Sequence, residues 1–387
     1  MLNRRFLRIK AMQAIYAFKQ AEDAQYNLAM DFLHDYFSPD LNSMKVPDKR
    51  HINFCRKESQ KAFEESHKTR NIPHNLEEEV YKGVTEAIQF YYNGIRENHV
   101  QIRQQMLEDT VHIHRNYFYC LQYLVELSDL IEELHEGKQP KYSTQIVSIP
   151  GKHLLGNPLI QQLRDDSQLR KEISRLKLTW RGEEGLLRAS IRKILLNNKR
   201  FMDYCAQEER NFEEDKAILL YLLKKIVLEH ELFQPAFEDE DIRWAENKAV
   251  IKGLIQRTFK FISEDEELTL IDLSENWEDD KAFFIKLFDE TIHADNDIRA
   301  KISGHLRDWD MDRLAHADQI IMEMAITEMI IFPSIPVKVS INEYIELAKN
   351  YSTPKSKQYI NGVLDALSKE LIENKTIKKS GRGLIER

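Results

Sequence analysis

Glycine and proline are scarce, at 12 and 10 of 387 residues, which argues against a loop-rich all-β chain and favours helix. The three cysteines, Cys55, Cys120 and Cys205, lie far apart with no Cys-x-x-Cys pair, so neither a disulfide framework nor a cysteine zinc knuckle is expected. No stretch approaches the roughly 18 apolar residues of a membrane span. Met1-Leu-Asn-Arg-Arg5 opens a polar-faced helix, not the apolar segment of a signal peptide. A soluble, cytoplasmic protein with no membrane partner is the expectation. P-loop, Gly-x-Gly-x-x-Gly and His-Glu-x-x-His patterns are absent, and no serine or cysteine has a nucleophile context. His112 and His114 are two apart, on nearly opposite sides of a helix, and Asp295-Asn-Asp297 reads as a helix start. The sequence thus predicts no enzyme, no cofactor and no metal.

What is present can build a core: 42% hydrophobic and 31% charged residues argue against wholesale disorder in so long a chain. The net charge of −8 does not advertise a nucleic-acid binder, but its distribution is uneven. Residues 1–20 carry Arg4, Arg5, Arg8, Lys10 and Lys19 and no acid. The stretch 264–297 is strongly acidic, and the tail beyond residue 373 is basic again.

The first helix is amphipathic. At about 100° per residue, Leu7, Ala11, Ala14, Ile15 and Phe18 share an apolar arc. Arg4, Arg5, Arg8, Met12, Tyr16 and Lys19 fall on the adjacent arc, a stripe suited to holding phosphates and stacking a base, or to plain solvation. The sequence divides into a first helix (1–36), a mobile polar insertion lacking a regular apolar stripe and holding at most one marginal helix (37–75), and a long helical segment (76–140). Inserted helical repeats (141–262), a C-terminal helical domain (263–374) and a basic tail (375–387) follow. The repeat rests on Trp180, Trp244 and Trp309, spaced 64 and 65 residues apart, each preceded by apolar residues at the same offsets. These tryptophans read as packing anchors of stacked helical hairpins. Near the C-terminus, Ser340-Ile-Asn-Glu343 reads as a capping box, and Thr353-Pro354 as a cap with proline at the first helical position.

Two segments at opposite ends carry a resemblance. Ile335-Pro-Val-Lys-Val-Ser-Ile-Asn-Glu-Tyr-Ile-Glu-Leu-Ala-Lys349 with Ser356-Lys-Gln-Tyr-Ile-Asn-Gly-Val-Leu-Asp365 closely resembles the signature of the NusB transcription antitermination family. Arg4-Arg5-x-x-Arg8-x-x-Ala11-x-Gln13-Ala14-Ile15-Tyr16 looks like that family's arginine-rich first helix. The chain is similar over roughly 1–20 and 275–372, as a long variant of the family. The resemblance implies an all-α fold of NusB-like helical bundles, to which this chain adds stacked helical hairpins. It also implies binding to boxA-type RNA with a small-subunit ribosomal protein acting as NusE, and modification of the RNA polymerase elongation complex. Carried over, Arg4, Arg5 and Arg8 become phosphate contacts, and Tyr16 lies at a shared RNA and partner surface. Asp318 becomes a partner contact, and Tyr359 an aromatic near the bases. Asn361 completes the RNA motif with Gly362, although helix packing is an alternative for both. Lys355 departs from the family's frequent acid and could add phosphate affinity. Alternative functions are a ribosome-assembly module or a helical protein-interaction scaffold that binds no RNA.

Overall fold

With few breakers and apolar residues spaced three and four apart, the chain has little to build but helix. The computed structural model describes residues 2–39, 48–136, 152–182, 184–260, 262, 264, 266–306 and 314–385, and no strand occurs among them. In chain order the helices are α1 (Arg4–Tyr36), α2 (Lys49–Ser66), α3 (Glu78–His135), α4 (Lys152–Leu155), α5 (Pro158–Asp165) and α6 (Ser167–Leu176). They continue as α7 (Glu184–Ala189), α8 (Lys199–Ala206), α9 (Phe212–Tyr221), α10 (Gln234–Glu238) and α11 (Trp244–Lys260). The last five are α12 (Trp277–His293), α13 (Asp295–Ser303), α14 (His316–Ile331), α15 (Val337–Tyr351) and α16 (Pro354–Glu373). The all-α expectation is met, and no described helix is long and apolar enough to cross a membrane. Two compact units result, one from Met1–Asn3 and Glu108–Glu278, the other from Arg4–Leu107 and Asp279–Arg387.

In the unit formed by 108–278, Trp180 and Trp244 are fully buried. Trp180 stacks on Tyr119 at 4.0 Å and donates its indole N–H to the Tyr119 carbonyl. Trp244 stacks on Phe237 at 4.1 Å. Both are anchors of the core, as their size and burial dictate; Trp309 lies outside the described residues. Single π-helical turns follow α7 at Ser190–Ile194 and α9 at Leu222–Val227.

His114, on the part of α3 that belongs to this unit, donates from Nε2 to the Ile271 carbonyl at 3.0 Å and stacks on Tyr117. Burial lowers its pKa below the usual 6.5, outweighing the Ile271 carbonyl and the nearby Asp272 and Glu172. The unfolded chain therefore binds more protons between the two pKa values, and stability falls as pH drops below about 6.5. Urea melts between pH 7.5 and 5 are expected to show a shallower acid loss in His114→Phe than in the parent. Equal slopes would remove His114 from the titration.

In the other unit, α1 meets α2 and the first half of α3 along an aromatic seam. Ala29, Leu33 and Phe37 pack with Cys55, Ala62, Phe63, Val80, Val84, Ala87, Ile88 and Tyr91. Phe63 touches the rings of Tyr26, His67 and Tyr91. Residues 49–66, expected to be part of a mobile polar insertion with at most one marginal helix, form a helix whose buried face belongs to this seam. Asp48 caps it, accepting from the backbone N–H groups of Arg50 and His51 at 2.9 and 3.2 Å. Gly83 is needed where α3 approaches α1, since a Cβ there would sit 2.9 Å from the Phe37 ring.

At the C-terminal end of the same unit, α14 is buried on every side from Asp318 to Met329 and lies against α1, α13, α15 and α16. Thr353 caps α16 as expected, its hydroxyl accepting from the Ser356 N–H, with Pro354 at the first position. The capping box at Ser340–Glu343 is not formed. Pro336 already has the extended backbone that starts α15, so Ser340 lies inside the helix, where its hydroxyl is used elsewhere. The basic tail is docked through its first residues: Ile377 is buried, and the Lys379 ammonium donates to the Phe332 carbonyl at 3.0 Å. Burial there lowers the Lys379 pKa to about 8.

Candidate nucleic-acid interface

The predicted basic stripe of α1 divides into a buried part and an exposed part. Arg8 is only 3% exposed. Its Nε and Nη2 donate to the two carboxylate oxygens of Glu328 at 2.7 and 2.8 Å. Glu328, fully buried on α14, also accepts from the hydroxyls of Ser340 at 2.7 Å and Tyr344 at 3.0 Å. This is a satisfied buried network rather than a phosphate site. The expectation for Arg8 is corrected accordingly: the guanidinium spends its fork on a protein carboxylate. Hydrogen bonding to Glu328 and that charge raise its pKa despite desolvation, while burial and Glu328 raise that of Tyr344. Met12, on the same expected polar arc, is also buried, and Lys19 is paired with buried Glu323 at 2.9 Å. Arg299 on α13 reaches the same Glu323 at 2.8 Å and donates to Gln319 at 2.7 Å.

Arg4, Arg5 and Tyr16 remain at the surface. The Arg4 guanidinium lies over the Phe283 ring at 4.9 Å, and no carboxylate pairs with it among the described residues. An aromatic face restrains the side chain while leaving its N–H edges open to an anion. Arg5, 46% exposed, is held bidentately by Glu343 of α15 at 2.8 and 2.9 Å. A hydrogen bond from Lys349 lowers the Glu346 pKa, with smaller contributions from the charges of Arg5 and Lys357. Tyr16, 45% exposed, stands three turns further along α1, about 16 Å from Arg5 at 1.5 Å rise per residue.

Asp318 does not meet its expected role. It is 3% exposed on the first turn of α14, where the helix N-terminus favours a carboxylate, and a partner side chain has no open face to reach. Tyr359 on α16 is half-buried, and burial raises its phenol pKa. Asn361 and Gly362 both face outward, and a Cβ on Gly362 would meet nothing within 4 Å, so packing within this chain does not require the glycine. Lys355 falls on the first turn of α16, but its side chain lies outside the described residues. The sequence reading missed Glu328 and Glu323. The signal for them was two acids embedded in the apolar run 320–331, where burial calls for a counter-charge or hydrogen-bond donors.

A first helix locked by buried ion pairs onto a C-terminal three-helix core, with arginines left over at its edge, is the arrangement that the described residues build here. The family model for NusB matches residues 247–369, from the start of α11 into α16. Relatives named transcription antitermination protein NusB align with the chain at 42% identity over 106 residues in Chloroherpeton thalassium and 41% over 99 in Salinibacter ruber. A third, from Bacillus velezensis, is 39% identical over 90 residues. These alignments use 27%, 26% and 23% of this chain and span 50%, 62% and 69% of the respective relatives. The chain belongs to the NusB family. No solved structure matches it at a significant level. The arginine-rich α1 lies outside the matched segment and is tied to it by the Arg8–Glu328, Arg5–Glu343 and Lys19–Glu323 pairs.

Proposed function

We propose that this protein is a transcription antitermination factor. In this reading it binds boxA-type RNA together with a small-subunit ribosomal protein acting as NusE, and the complex modifies the RNA polymerase elongation complex. The observation that carries the reading is the exposed edge of α1, where Arg4 over Phe283, Arg5 and Tyr16 provide cations for phosphates and an aromatic for a base. Asn361 on the open face of α16 and the neighbouring Tyr359 extend the set of groups suited to single-stranded RNA. Lys355 remains a candidate further cation. Local charge can act here despite the net −8, because salt screens the rest of the molecule beyond about 8–10 Å. On the protein side, Tyr16 is the contact retained for the ribosomal partner.

Arg4 is the stronger phosphate contact of the two arginines, since Arg5 must first exchange Glu343 for a phosphate. Titration of boxA-type RNA at several salt concentrations tests this. Arg4→Ala is expected to lower the slope of log affinity against log salt by about 0.7, and Arg5→Ala by less. An unchanged slope in the double variant removes this edge from the RNA site. Repeating the titration with the ribosomal protein tests the partner: reciprocal coupling of about 5–150-fold is expected. RNA affinity indifferent to the partner would remove the cooperative mechanism.

A further inference from the structure

Outside the RNA-facing edge, three chemically different donors converge in the unit that holds α1. His51 and Cys55 are four residues apart on α2 and so lie on one face, with His51 Nε2 3.5 Å and Nδ1 3.9 Å from the Cys55 sulfur. Glu77, the residue before α3, brings its carboxylate to the same point, and the donor atoms of all three lie within 4.8 Å of one another. The Glu79 carboxylate is a further 3.9 Å from His51 Nε2. The placement is held from both sides: Asp48 caps α2 at His51, and Val80, one turn beyond Glu77, is buried in the same seam as Cys55.

We propose that His51, Cys55 and Glu77 form a binding site for a zinc-class divalent metal ion. A thiolate, an imidazole and a carboxylate are the donor types that zinc takes, at about 2.3, 2.0 and 2.0–2.2 Å, and three protein donors leave a fourth position for water or Glu79. Donors at those bond lengths around a tetrahedral centre stand roughly 3.3–3.7 Å apart, from the same bond lengths. Closing from 4.8 Å therefore needs only about 1 Å of movement. Cys55 is fixed by the core, whereas His51 and Glu77 are exposed and free to turn toward it. On binding, the thiol proton leaves to solvent as the sulfur–metal bond forms. The ion would join α2 to the start of α3 by bonds stronger than the side-chain contacts there.

Cobalt(II) added to the untagged full-length chain is the probe, because a thiolate–cobalt bond gives a near-ultraviolet charge-transfer band and a tetrahedral site gives visible d–d bands. Both are expected at one cobalt per chain, with displacement by zinc. Cys55→Ser should abolish the charge-transfer band although Cys120 and Cys205 remain. His51→Ala and Glu77→Gln, at exposed positions, should keep the helical circular-dichroism signal and weaken binding at least tenfold. If Cys55→Ser fails to fold, these two variants decide. Absence of the bands in the parent, their survival in Cys55→Ser, or unchanged affinity in both exposed variants would overturn the site.

Discussion

Glu328→Gln is expected to destabilise the unit containing α1 by about 3–5 kcal/mol, because it leaves the buried Arg8 charge without a counter-charge. That is a large share of the roughly 5–15 kcal/mol that holds a domain together. The network also predicts its own rescue. Arg8→Met added to Glu328→Gln removes the orphaned charge, while the glutamine oxygen accepts from one of the Ser340 and Tyr344 hydroxyls, which in the parent bond different carboxylate oxygens, and its NH2 group donates to the other. The double variant should therefore recover most of the loss. Urea unfolding followed by circular dichroism gives the magnitudes, and hydrogen exchange at residues 320–331 assigns them to α14. A double variant as unstable as the single one would mean that the charge pair is not what the core depends on.

Phe63→Ala is expected to cost about 3–5 kcal/mol as well, the range for emptying a buried aromatic site. Its ring fills the seam between Tyr26, His67 and Tyr91, where little can collapse into the space. Phe54, on the same helix but 47% exposed, provides the internal comparison, and its replacement by Ala should change stability by no more than about 0.5 kcal/mol. Thermal melts of the two variants separate a packed α2 from a dispensable one. Equal, small effects would return residues 49–66 to the status of a loose insertion.

Why α2 reads from sequence as no more than a marginal helix is visible in its buried face, Cys55, Ser59, Ala62, Phe63 and Ser66. The helical period is present, but two of its five buried positions are serines, so a count of apolar residues finds no stripe. In α1 the opposite holds: Leu7, Ala11, Ala14, Ile15 and Phe18 are all apolar, and all are buried. Thr353-Pro354 was legible because cap chemistry is local. Arg8 was not, because a guanidinium in a basic stripe reads as surface until its carboxylate, far along the chain, is known. Asp318 shows the converse error, since its role was carried over from the resemblance and an acid in the first turn of a helix does not reveal how completely α14 is surrounded. The exposed edge of the site, Arg4, Arg5 and Tyr16, was read from residue types alone, and its use by RNA is a matter for binding experiments.

The Arg8–Glu328 pair spans 320 positions of sequence, and that span sets a timetable for synthesis. At roughly 5–20 residues per second, Arg8 leaves the ribosome on the order of 15–60 s before Glu328 does. All of residues 108–278 are made within that interval, so this unit has its whole sequence to hand first. Throughout the wait, the apolar face of α1 has no α14 to cover it. A nascent chain with residues 1–280 outside the ribosome and α14 still inside it would thus hold the complete sequence of one unit beside a first helix whose apolar face is still uncovered.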